Sequence, residues 1–409
     1  MKETKVVAEI GTSHGGDIEK AFAMIDEAKD AGAHVVKFQW VYADEILHPD
    51  TGFVNLPGGA VRLYDRFRSL EVDPSFFERC CSYSHERGLL FACSPFGLRS
   101  LHELVEIKPD AIKIASPEVN HIPLLLECAK YYGKIPIILS SGVSKIGDIE
   151  KAIDILTGGH DEKNQPEDIS VQGKYLPPLT LLHCITYYPA PENEYNVRCV
   201  DTLGKIFGIP TGISDHSLDP VLVPALTVAM GGSMIEKHIT ISKKTDGLDD
   251  PVALEGEDFA RMCLAVSQSD TVLNRYERDF LASKSFHAEK LANGLVVDAG
   301  QAEIIRQMCI SYGEKKVMEV LGSGVKRLAK IEMQNYGRTN RSLHYTRDMK
   351  AGETVGADDV SVLRTEKILT PGIAPDFLET VLGARLEKNV GSGAGVCFSD
   401  FINKKQIRK

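Results

Sequence analysis

Short apolar runs alternate with segments of helical periodicity through the first 270 residues, and this alternation constrains the fold more than any other feature. Apolar residues recur at positions 18, 21, 22, 25 and 28, which is the spacing of one helix face. Eight runs have strand character: residues 6–10, 34–39, 89–93, 111–115, 135–139, 179–184, 211–213 and 234–238. Strands that alternate with helices predict a parallel sheet with the helices packed outside it.

Eight such units within about 250 residues suit a closed (β/α)8 TIM barrel, and an open doubly wound sheet is the alternative. Polar and ionisable residues stand at or near the C-terminal ends of these runs: Glu9, Lys37, Gln39, Ser94, Lys113, Ser116, Glu118, Ser214, His216 and His238. In a TIM barrel this end of the strands holds the active site, so these residues are candidates for chemistry.

The remainder of the chain follows two other patterns. Helical patterns within residues 271–335 are charged and only loosely amphipathic, which indicates a connector. Later in the chain, short strand-like runs and many glycines with turn chemistry predict a small β-rich domain. We therefore divide the chain into a barrel domain (1–270), a connector (271–335) and a C-terminal domain (336–409).

Composition excludes several functional classes. The net charge of −10 argues against a nucleic-acid partner, which requires a basic surface. No run of about 18 apolar residues predicts a membrane span, and the first residues lack the pattern of a secretory signal. Nine cysteines without a Cys-x-x-Cys pair indicate free thiols rather than disulfides or a zinc site. We expect a cytoplasmic protein.

Two histidines are the candidate metal ligands. His216 follows one predicted strand and His238 ends the next, so a barrel places them side by side at its mouth. Imidazole nitrogens suit a divalent transition metal. The alternative is two hydrogen-bonded histidines without a metal, because their spacing is not a recognised ligand motif.

Two lysines lie in strands that are otherwise apolar. Lys37 and Lys113 are costly to bury unless each is paired, which predicts a use for the ammonium groups. That use is to bind a phosphate or carboxylate, or to form a Schiff base, and a structural ion pair with Glu9 is the alternative. Neutral hydroxyls at the same end are candidates to bind the same anion: Ser94, Ser116 and Ser214.

Other polar residues at the predicted mouth are compatible with more than one role. Glu9 and Glu118 are candidates to position or deprotonate water, or to pair with the lysines. Thr186 and Tyr188 are hydroxyl donors after the sixth strand, although that stretch also reads as a plain strand-to-turn junction.

Two more residues receive a structural interpretation. His14 follows the first strand and reads as a surface loop histidine. We expect Lys237 to face solvent or to pair with Glu236.

The ordered set of motifs resembles the sialic acid synthase family. The barrel region carries Ala8-Glu9-Ile10-Gly11, Val36-Lys37-Phe38-Gln39, Ser94-Pro95-Phe96, Ile112-Lys113-Ile114-Ala115-Ser116-Pro117-Glu118, Leu182-His183-Cys184, Tyr188-Pro189-Ala190-Pro191, Ser214-Asp215-His216 and Ile235-Glu236-Lys237-His238. Residues 341–402 resemble the antifreeze-like SAF domain that ends these synthases.

This resemblance implies a TIM barrel followed by an SAF domain, in a domain-swapped homodimer. It implies a carbon–carbon bond-forming transferase that condenses phosphoenolpyruvate with an aldose. The aldose is N-acetylmannosamine or a related amino sugar, and the products are a nonulosonic 2-keto acid and phosphate. Precursors of legionaminic or pseudaminic acid are equally plausible acceptors, and spore-coat or surface polysaccharide pathways use such relatives.

The resemblance also implies roles for individual residues. His216 and His238 would hold a divalent cation, usually manganese, with magnesium as the alternative. Phosphoenolpyruvate would be bound by Lys37, Ser94, Lys113, Ser116 and Ser214. Water, the metal environment or the sugar would be contacted by Glu9, Gln39, Glu118, Tyr188 and Asp249. Arg364 of the C-terminal domain would reach the partner subunit's site.

Two other functional classes remain open from the residues. A Schiff-base aldolase would use Lys37 or Lys113, would need no metal, and would be trapped by borohydride in the presence of substrate. A non-enzymatic carbohydrate-binding protein would rely on its C-terminal domain, but it would leave the ionisable residues of the barrel mouth unexplained.

Overall fold

Eight parallel strands close into a barrel, which confirms the predicted TIM barrel and excludes the open sheet. The computed structural model describes residues 3–56, 59–159, 166–245, 247–283, 288–291, 295–366 and 368–402. In chain order the strands are β1 (Lys5–Gly11), β2 (Val35–Trp40), β3 (Phe53–Leu56), β4 (Gly59–Arg62), β5 (Leu90–Pro95), β6 (Ala111–Ile114), β7 (Ile137–Ser140), β8 (Ile169–Val171), β9 (Lys174–Leu176), β10 (Leu179–Cys184), β11 (Thr211–Asp215), β12 (Met234–His238), β13 (Ala288–Lys290), β14 (Val296–Asp298), β15 (Arg341–Tyr345) and β16 (Val360–Arg364). Around the barrel wall the order is β1, β12, β11, β10, β7, β6, β5, β2, and each predicted run corresponds to one of these strands.

The described part of the chain contains α-helices that mostly pack around the barrel, whereas the last of them belongs to the C-terminal domain. They are α1 (Ile18–Asp30), α2 (Ala43–Ile46), α3 (Leu63–Arg68), α4 (Pro74–Glu86), α5 (Leu98–Glu106), α6 (Ile122–Ala129), α7 (Ile146–Thr157), α8 (Cys199–Phe207), α9 (Leu222–Ala229), α10 (Gly256–Ser283), α11 (Ala299–Tyr312), α12 (Glu314–Leu321) and α13 (Leu378–Val381). Helix α1 begins where the Asp17 carboxylate accepts a hydrogen bond from the Glu19 backbone N–H at 2.9 Å. Among the described helices, none is both long and apolar enough to span a bilayer.

The barrel interior is apolar near the N-terminal ends of the strands and carries ionisable side chains further along four of them. Near the N-terminal ends, the inward side chains form an apolar layer: Val7, Val35, Leu90, Ala92, Ala111, Ile138, Leu182 and Met234. Side chains alternate between the two faces of a strand, so positions two residues further on face inward as well. On β1, β2, β6 and β12 those positions are Glu9, Lys37, Lys113 and Glu236, all of them buried. The strand period therefore brings these four ionisable groups into one layer.

Lys237 corrects our expectation for this residue. It neither faces solvent nor pairs with Glu236: it is 1% exposed, and its Nζ lies 2.6 Å from Oδ2 of Asp215. The same Nζ donates to the Ser217 carbonyl at 2.6 Å. Consecutive side chains of a strand point to opposite faces, so Glu236 points into the barrel and Lys237 points outward beneath the helices.

Part of the predicted connector packs with the barrel helices. Helix α10 runs through residue 270, and both α10 and α11 contact α9. The short strands β13 and β14 pair in an antiparallel ladder beside α11. From the start of α10 to residue 321, the described part of the chain is therefore mainly helical, apart from this small ladder.

The C-terminal domain is built on an antiparallel hairpin of β15 and β16. Isolated bridges extend it, pairing His344 with Gly395 and Met349 with Val390. Its small core is formed by Leu343, Tyr345, Met349, Val355, Val360, Val381, Leu386 and Val396. These features agree with the predicted short strands, and residues 403–409 lie outside the described part of the chain.

One buried carboxylate joins the C-terminal domain to the barrel. Glu118 follows β6 and is 0% exposed. Its Oε2 accepts a hydrogen bond from Arg341 Nε at 2.6 Å, and its Oε1 accepts one from Arg364 Nη2 at 2.7 Å. Arg341 also donates to the Phe96 carbonyl of the barrel at 2.8 Å. Burial opposes ionisation of Glu118, but the two guanidinium groups outweigh it and lower the pKa of this carboxyl.

Replacing this carboxylate tests its contribution to stability. Glu118→Gln should lower the free energy of unfolding by about 3–5 kcal/mol at pH 7, because it leaves two buried guanidinium groups without their counter-charge. Because the folded-state pKa lies below the ordinary value of 4.5, the carboxylate stabilises the fold above that pH. The stabilisation is lost as the pH falls through the folded-state pKa. The difference between wild type and variant in urea unfolding should therefore shrink from pH 7 to pH 4.

Glu379→Gln is the matched control, because Glu379 is an exposed glutamate of the same domain. It should unfold like the wild type at both pH values. A Glu118→Gln variant that is as stable as the control at pH 7 would show that the two arginines do not need this carboxylate.

Candidate active site

A cavity of about 210 Å³ opens at the C-terminal ends of the barrel strands. The structure brings most of the predicted site residues to its wall: Glu9, Lys37, Gln39, Lys113, Ser116, Thr186, Tyr188, Ser214, His216, His238, Asp249 and Arg364. Of the predicted residues, Ser94 and Glu118 are not in this lining. The strands position the ionisable groups because their inward faces converge at this end of the barrel.

The cavity floor is a cluster of buried ion pairs. Lys37 Nζ lies 2.6 Å from Oε1 of Glu9 and 3.8 Å from Oε2 of Glu236. Lys113 Nζ lies 3.2 Å from Oε1 of Glu236, which also accepts a hydrogen bond from Ser214 Oγ at 2.9 Å. Two lysines and two glutamates thus neutralise one another in a site with little solvent.

Burial and the neighbouring charges shift the pKa values of this cluster in different directions. Burial opposes ionisation of Glu236, but Lys113 and Lys37 outweigh it and lower the pKa of that carboxyl. Burial also opposes protonation of Lys37, yet Glu236 and Glu9 raise the pKa of its ammonium. For Lys113, burial prevails and the pKa is lowered. An anion bound beside Lys113 would restore its preference for the charged form.

Several polar atoms around the floor are buried without a hydrogen-bond partner. They are Oε2 of Glu9, Oε2 of Glu236, Oγ of Ser94 and Oγ of Ser140. Buried polar atoms are almost always paired, so a cluster of exceptions needs an explanation. Ser94 is fully buried on β5, next to Gln39 of β2 in the strand register. A polar ligand in the cavity is one explanation for this cluster.

The two predicted metal ligands line the same cavity beside Glu9, because strand β12 pairs with β1 and places His238 next to Glu9. The ring centroids of His216 and His238 are 5.6 Å apart, and the Tyr188 ring stacks on His216 at 4.1 Å. Nδ1 of His216 lies 2.8 Å from the Ile185 carbonyl, to which it donates when protonated, and this leaves Nε2 available as a ligand. Nδ1 of His238 lies 3.9 Å from Oδ2 of Asp249.

This donor set fits a divalent cation with open coordination positions. Within the described ranges, no group of three or more His, Cys, Asp or Glu residues is arranged to hold a metal. Two imidazoles would therefore leave the remaining positions to water or substrate, as catalytic metal sites do. Burial lowers the pKa of His238, which favours the neutral ring that a metal requires.

His216 has the opposite shift. Burial opposes its protonation, but the neighbouring Cys184 side chain and the Ile185 carbonyl outweigh it and raise the pKa of His216 to about 9. The Cys184 sulfur lies 3.9 Å from Nδ1 of this ring. A cation bound to His216 must therefore displace a proton.

Arg364 lines the cavity of its own chain, whereas the resemblance placed it in the partner subunit's site. Strand β16 passes beside α2, and the backbone of Arg364 forms an isolated parallel β-bridge with that of Leu47. The Arg364 guanidinium forms an ion pair with Glu118. The exchanged homodimer itself stays a prediction. Glu118 forms ion pairs with Arg341 and Arg364, and it is not part of the cavity lining.

Sequence reasoning missed part of the site. Glu236 pairs with both floor lysines, and its position two residues before His238 on the same strand face could have revealed it. Ser140 and Thr339 also line the cavity, and no local pattern singled them out. One wall is apolar: Val41, Phe67, Leu70, Phe96 and Leu248.

His14 is also placed differently from our expectation of a surface loop. It is 1% exposed, and its ring lies 4.6 Å from that of Phe76. Burial lowers the pKa of His14 to about 4, so the ring is neutral. It packs beneath the first loop and is absent from the cavity lining.

Several known proteins are similar to this chain over most of its length. The N,N'-diacetyllegionaminic acid synthase of Legionella pneumophila is 26% identical over 95% of this chain and 92% of its own length. The spore coat polysaccharide biosynthesis protein SpsE of Bacillus subtilis is 27% identical over 98% of this chain and 94% of its own. Its crystal structure superposes with a TM-score of 0.74, covering 98% of this chain and 96% of that one, at 26% identity.

A solved N-acetylneuraminic acid synthetase from Leptospira borgpetersenii is 28% identical and covers 69% of this chain and 92% of its own, with a TM-score of 0.56. The SAF domain profile matches residues 340–402, which confirms the predicted C-terminal domain type. The predicted class of carbon–carbon bond-forming transferase is confirmed by the relatives, which are named synthases. Because the profile of the NeuB family matches residues 24–278, the chain belongs to the NeuB family.

Proposed function

We propose that this chain condenses phosphoenolpyruvate with the open-chain aldehyde of an amino sugar, giving a nonulosonic 2-keto acid and phosphate. The observation that carries the proposal is the cavity floor. Two buried lysines there are neutralised by Glu9 and Glu236, each of which has one oxygen without a hydrogen-bond partner, and the imidazole pair lines the same cavity. Buried cations beside unpartnered hydroxyls suit a small anion such as phosphoenolpyruvate.

The floor residues account for binding of the anion. Lys37 and Lys113 supply the positive charge for the phosphate and carboxylate groups. Hydroxyl groups supply neutral donors around them: Ser94, Ser116, Ser140 and Ser214. Because the site excludes most water, these interactions are stronger than they would be at the surface.

Glu9 is placed to handle the proton of the attacking water. The new bond forms between carbon 3 of phosphoenolpyruvate and the aldehyde carbon, and carbon 2 then takes the oxygen of a water molecule. Oε1 of Glu9 is held by Lys37 and by Gln39 Nε2 at 2.8 Å, while Oε2 is unpartnered. Oε2 is therefore the atom available to accept the water proton. Cleavage of the bond between carbon 2 and the phosphate oxygen releases phosphate and leaves the 2-keto acid, and the remaining hydroxyl proton on carbon 2 leaves with the phosphate. The proton accepted by Glu9 is returned to the former aldehyde oxygen, which becomes a hydroxyl group.

His216 and His238 would hold a divalent cation, with manganese first and magnesium as the alternative. When bound, the cation supplies Lewis-acid polarisation of the aldehyde oxygen. Thr186, Tyr188 and Asp249 lie on the same wall and are the proposed contacts of the sugar.

The acceptor belongs to the amino sugars used by relatives of this chain. Those relatives are named as synthases of N,N'-diacetyllegionaminic acid, pseudaminic acid and N-acetylneuraminate 9-phosphate. The apolar wall formed by Val41, Phe67, Leu70, Phe96 and Leu248 suits the acetamido or deoxy groups of such sugars.

The test is phosphate release from phosphoenolpyruvate across a panel of these sugar precursors, with manganese and with EDTA. Release that needs both a sugar and a metal is the expected result, and it identifies the acceptor. Release without sugar, or full activity in EDTA, would contradict a metal-dependent condensation. Folded, metal-loaded protein that releases no phosphate with any sugar would contradict the proposal for these acceptors.

Removal of either imidazole tests the metal assignment. His216→Ala and His238→Ala should each lower kcat about 10³-fold, because each removes one of the two protein ligands. Each should also weaken manganese binding measured by calorimetry, a readout that does not depend on turnover. His102→Ala is the matched control, because this histidine is largely exposed and lies outside the cavity. Full activity in either site variant would refute the assignment.

Lys113→Met tests the phosphate site. It should raise the KM for phosphoenolpyruvate about 10- to 100-fold, because a hydrogen bond to a charged group contributes about 1.5–3 kcal/mol. Lys108→Met, at an exposed position just before β6, should leave this KM unchanged. An unchanged KM in Lys113→Met would remove this lysine from the site. A covalent adduct trapped by borohydride in the wild type would instead indicate a Schiff-base lysine.

A further inference from the structure

We propose that Glu332 is a positioning residue for this reaction, an inference that rests on the proposed function. It lies in the crossing segment, which we define as residues 323–340 between α12 and β15. Its carboxylate holds together two loops of the barrel mouth, the β7 loop (residues 140–143) and the β10 loop (residues 184–188). Both loops contribute residues to the cavity wall.

The Glu332 carboxylate accepts a hydrogen bond from one backbone N–H group of each loop. Its Oε1 accepts hydrogen bonds from the backbone N–H of Val143 at 2.8 Å and of Thr186 at 2.7 Å. Its Oε2 accepts one from the Ala329 N–H at 3.2 Å. Glu332 is 0% exposed, so these charge-assisted bonds are shielded from water. A single oxygen atom therefore links the two loops.

The linked loops carry proposed substrate contacts. Thr186 lies on the cavity wall, and its backbone is one of the two groups that Glu332 binds. Gly142, next to Val143, donates its N–H to Ser116 Oγ at 3.0 Å. A Cβ added at Gly142 would overlap the Thr186 hydroxyl, so the two loops are in close contact. A shift of the β7 loop would therefore move both Ser116 and Thr186.

The β7 loop needs an external anchor because its backbone is strained. Val143 is β-branched, yet its φ angle is 42°, in the left-handed region that such residues rarely adopt. The crossing segment supplies two further bonds to this loop. Lys326 Nζ donates to the Ser141 carbonyl at 3.0 Å, and Asn340 Nδ2 donates to the Val143 carbonyl at 3.2 Å.

Glu332 lies outside both family matches, which cover residues 24–278 and 340–402. The barrel mouth is thus completed by a part of the chain that neither profile describes. It acts through the backbone of the two loops rather than by touching the reacting atoms.

The test compares three variants of the full-length, metal-loaded enzyme. Glu332→Ala should raise the KM of phosphoenolpyruvate or of the sugar about tenfold or more, with a smaller change in kcat, because uniform binding contacts are lost. Glu332→Gln should stay within about threefold of the wild type, since its amide oxygen still accepts both loop bonds. Lys330→Ala, on the exposed side of the same turn, should behave like the wild type.

Backbone amide exchange gives a readout that does not depend on activity. Exchange at Val143 and Thr186 should accelerate in Glu332→Ala and remain unchanged in Lys330→Ala. KM values within twofold of the wild type in Glu332→Ala would overturn the proposal while the proposed function stands. Glu332→Gln as impaired as Glu332→Ala would also overturn it, because the charge rather than the acceptor oxygen would then matter. Absence of turnover in the wild type would overturn both.

If Glu332→Ala does not fold, Glu332→Asp replaces it. Aspartate keeps the negative charge beside Lys326 but is one methylene shorter, so it cannot reach both loop N–H groups. Glu332→Asp should therefore raise the KM of phosphoenolpyruvate or of the sugar, as expected for Glu332→Ala. A KM equal to that of the wild type in Glu332→Asp would overturn the proposal.

Discussion

Charges buried inside a barrel must be paired, and the rest of this structure depends on how that requirement is met. Glu9, Lys37, Lys113 and Glu236 face one another at the C-terminal end of the barrel, where any one of them alone would be strongly unfavourable. Together they neutralise one another, and one oxygen of each carboxylate is left without a hydrogen-bond partner. The site is thus stable when empty and has unused polar groups for a ligand.

The C-terminal part of the chain meets the same requirement from outside the barrel. Glu118 is neutralised by Arg341 and Arg364, which also fixes Arg364 at the cavity wall. Glu332 accepts backbone hydrogen bonds from two barrel loops. In both cases a buried carboxylate connects the barrel to a segment that is distant in sequence. Each carboxylate also binds a residue of the cavity wall, Arg364 for Glu118 and Thr186 for Glu332.

The barrel and most of its mouth were predictable because they follow local rules. Each strand was found from an apolar run, and Lys37 and Lys113 were found because a charge within such a run is unusual. Side chains alternate between the two faces of a strand, and this rule places Glu236 inside the barrel and Lys237 outside it. The expectation that the two residues pair with each other neglected this alternation. His14 was misplaced because no local pattern shows that Phe76 of α4 packs over the first loop.

The sequence by itself determined the barrel, a small β-rich C-terminal domain and the set of ionisable residues at the strand ends, because periodicity and burial preference act over a few residues. Only the tertiary structure decided which charges pair. Glu118 and Arg341 are 223 positions apart, and Glu332 lies 146 positions from Thr186. Such contacts exist only once the barrel has closed and the crossing segment lies against it. Their energies depend on how deeply the groups are buried, which no local sequence pattern reveals.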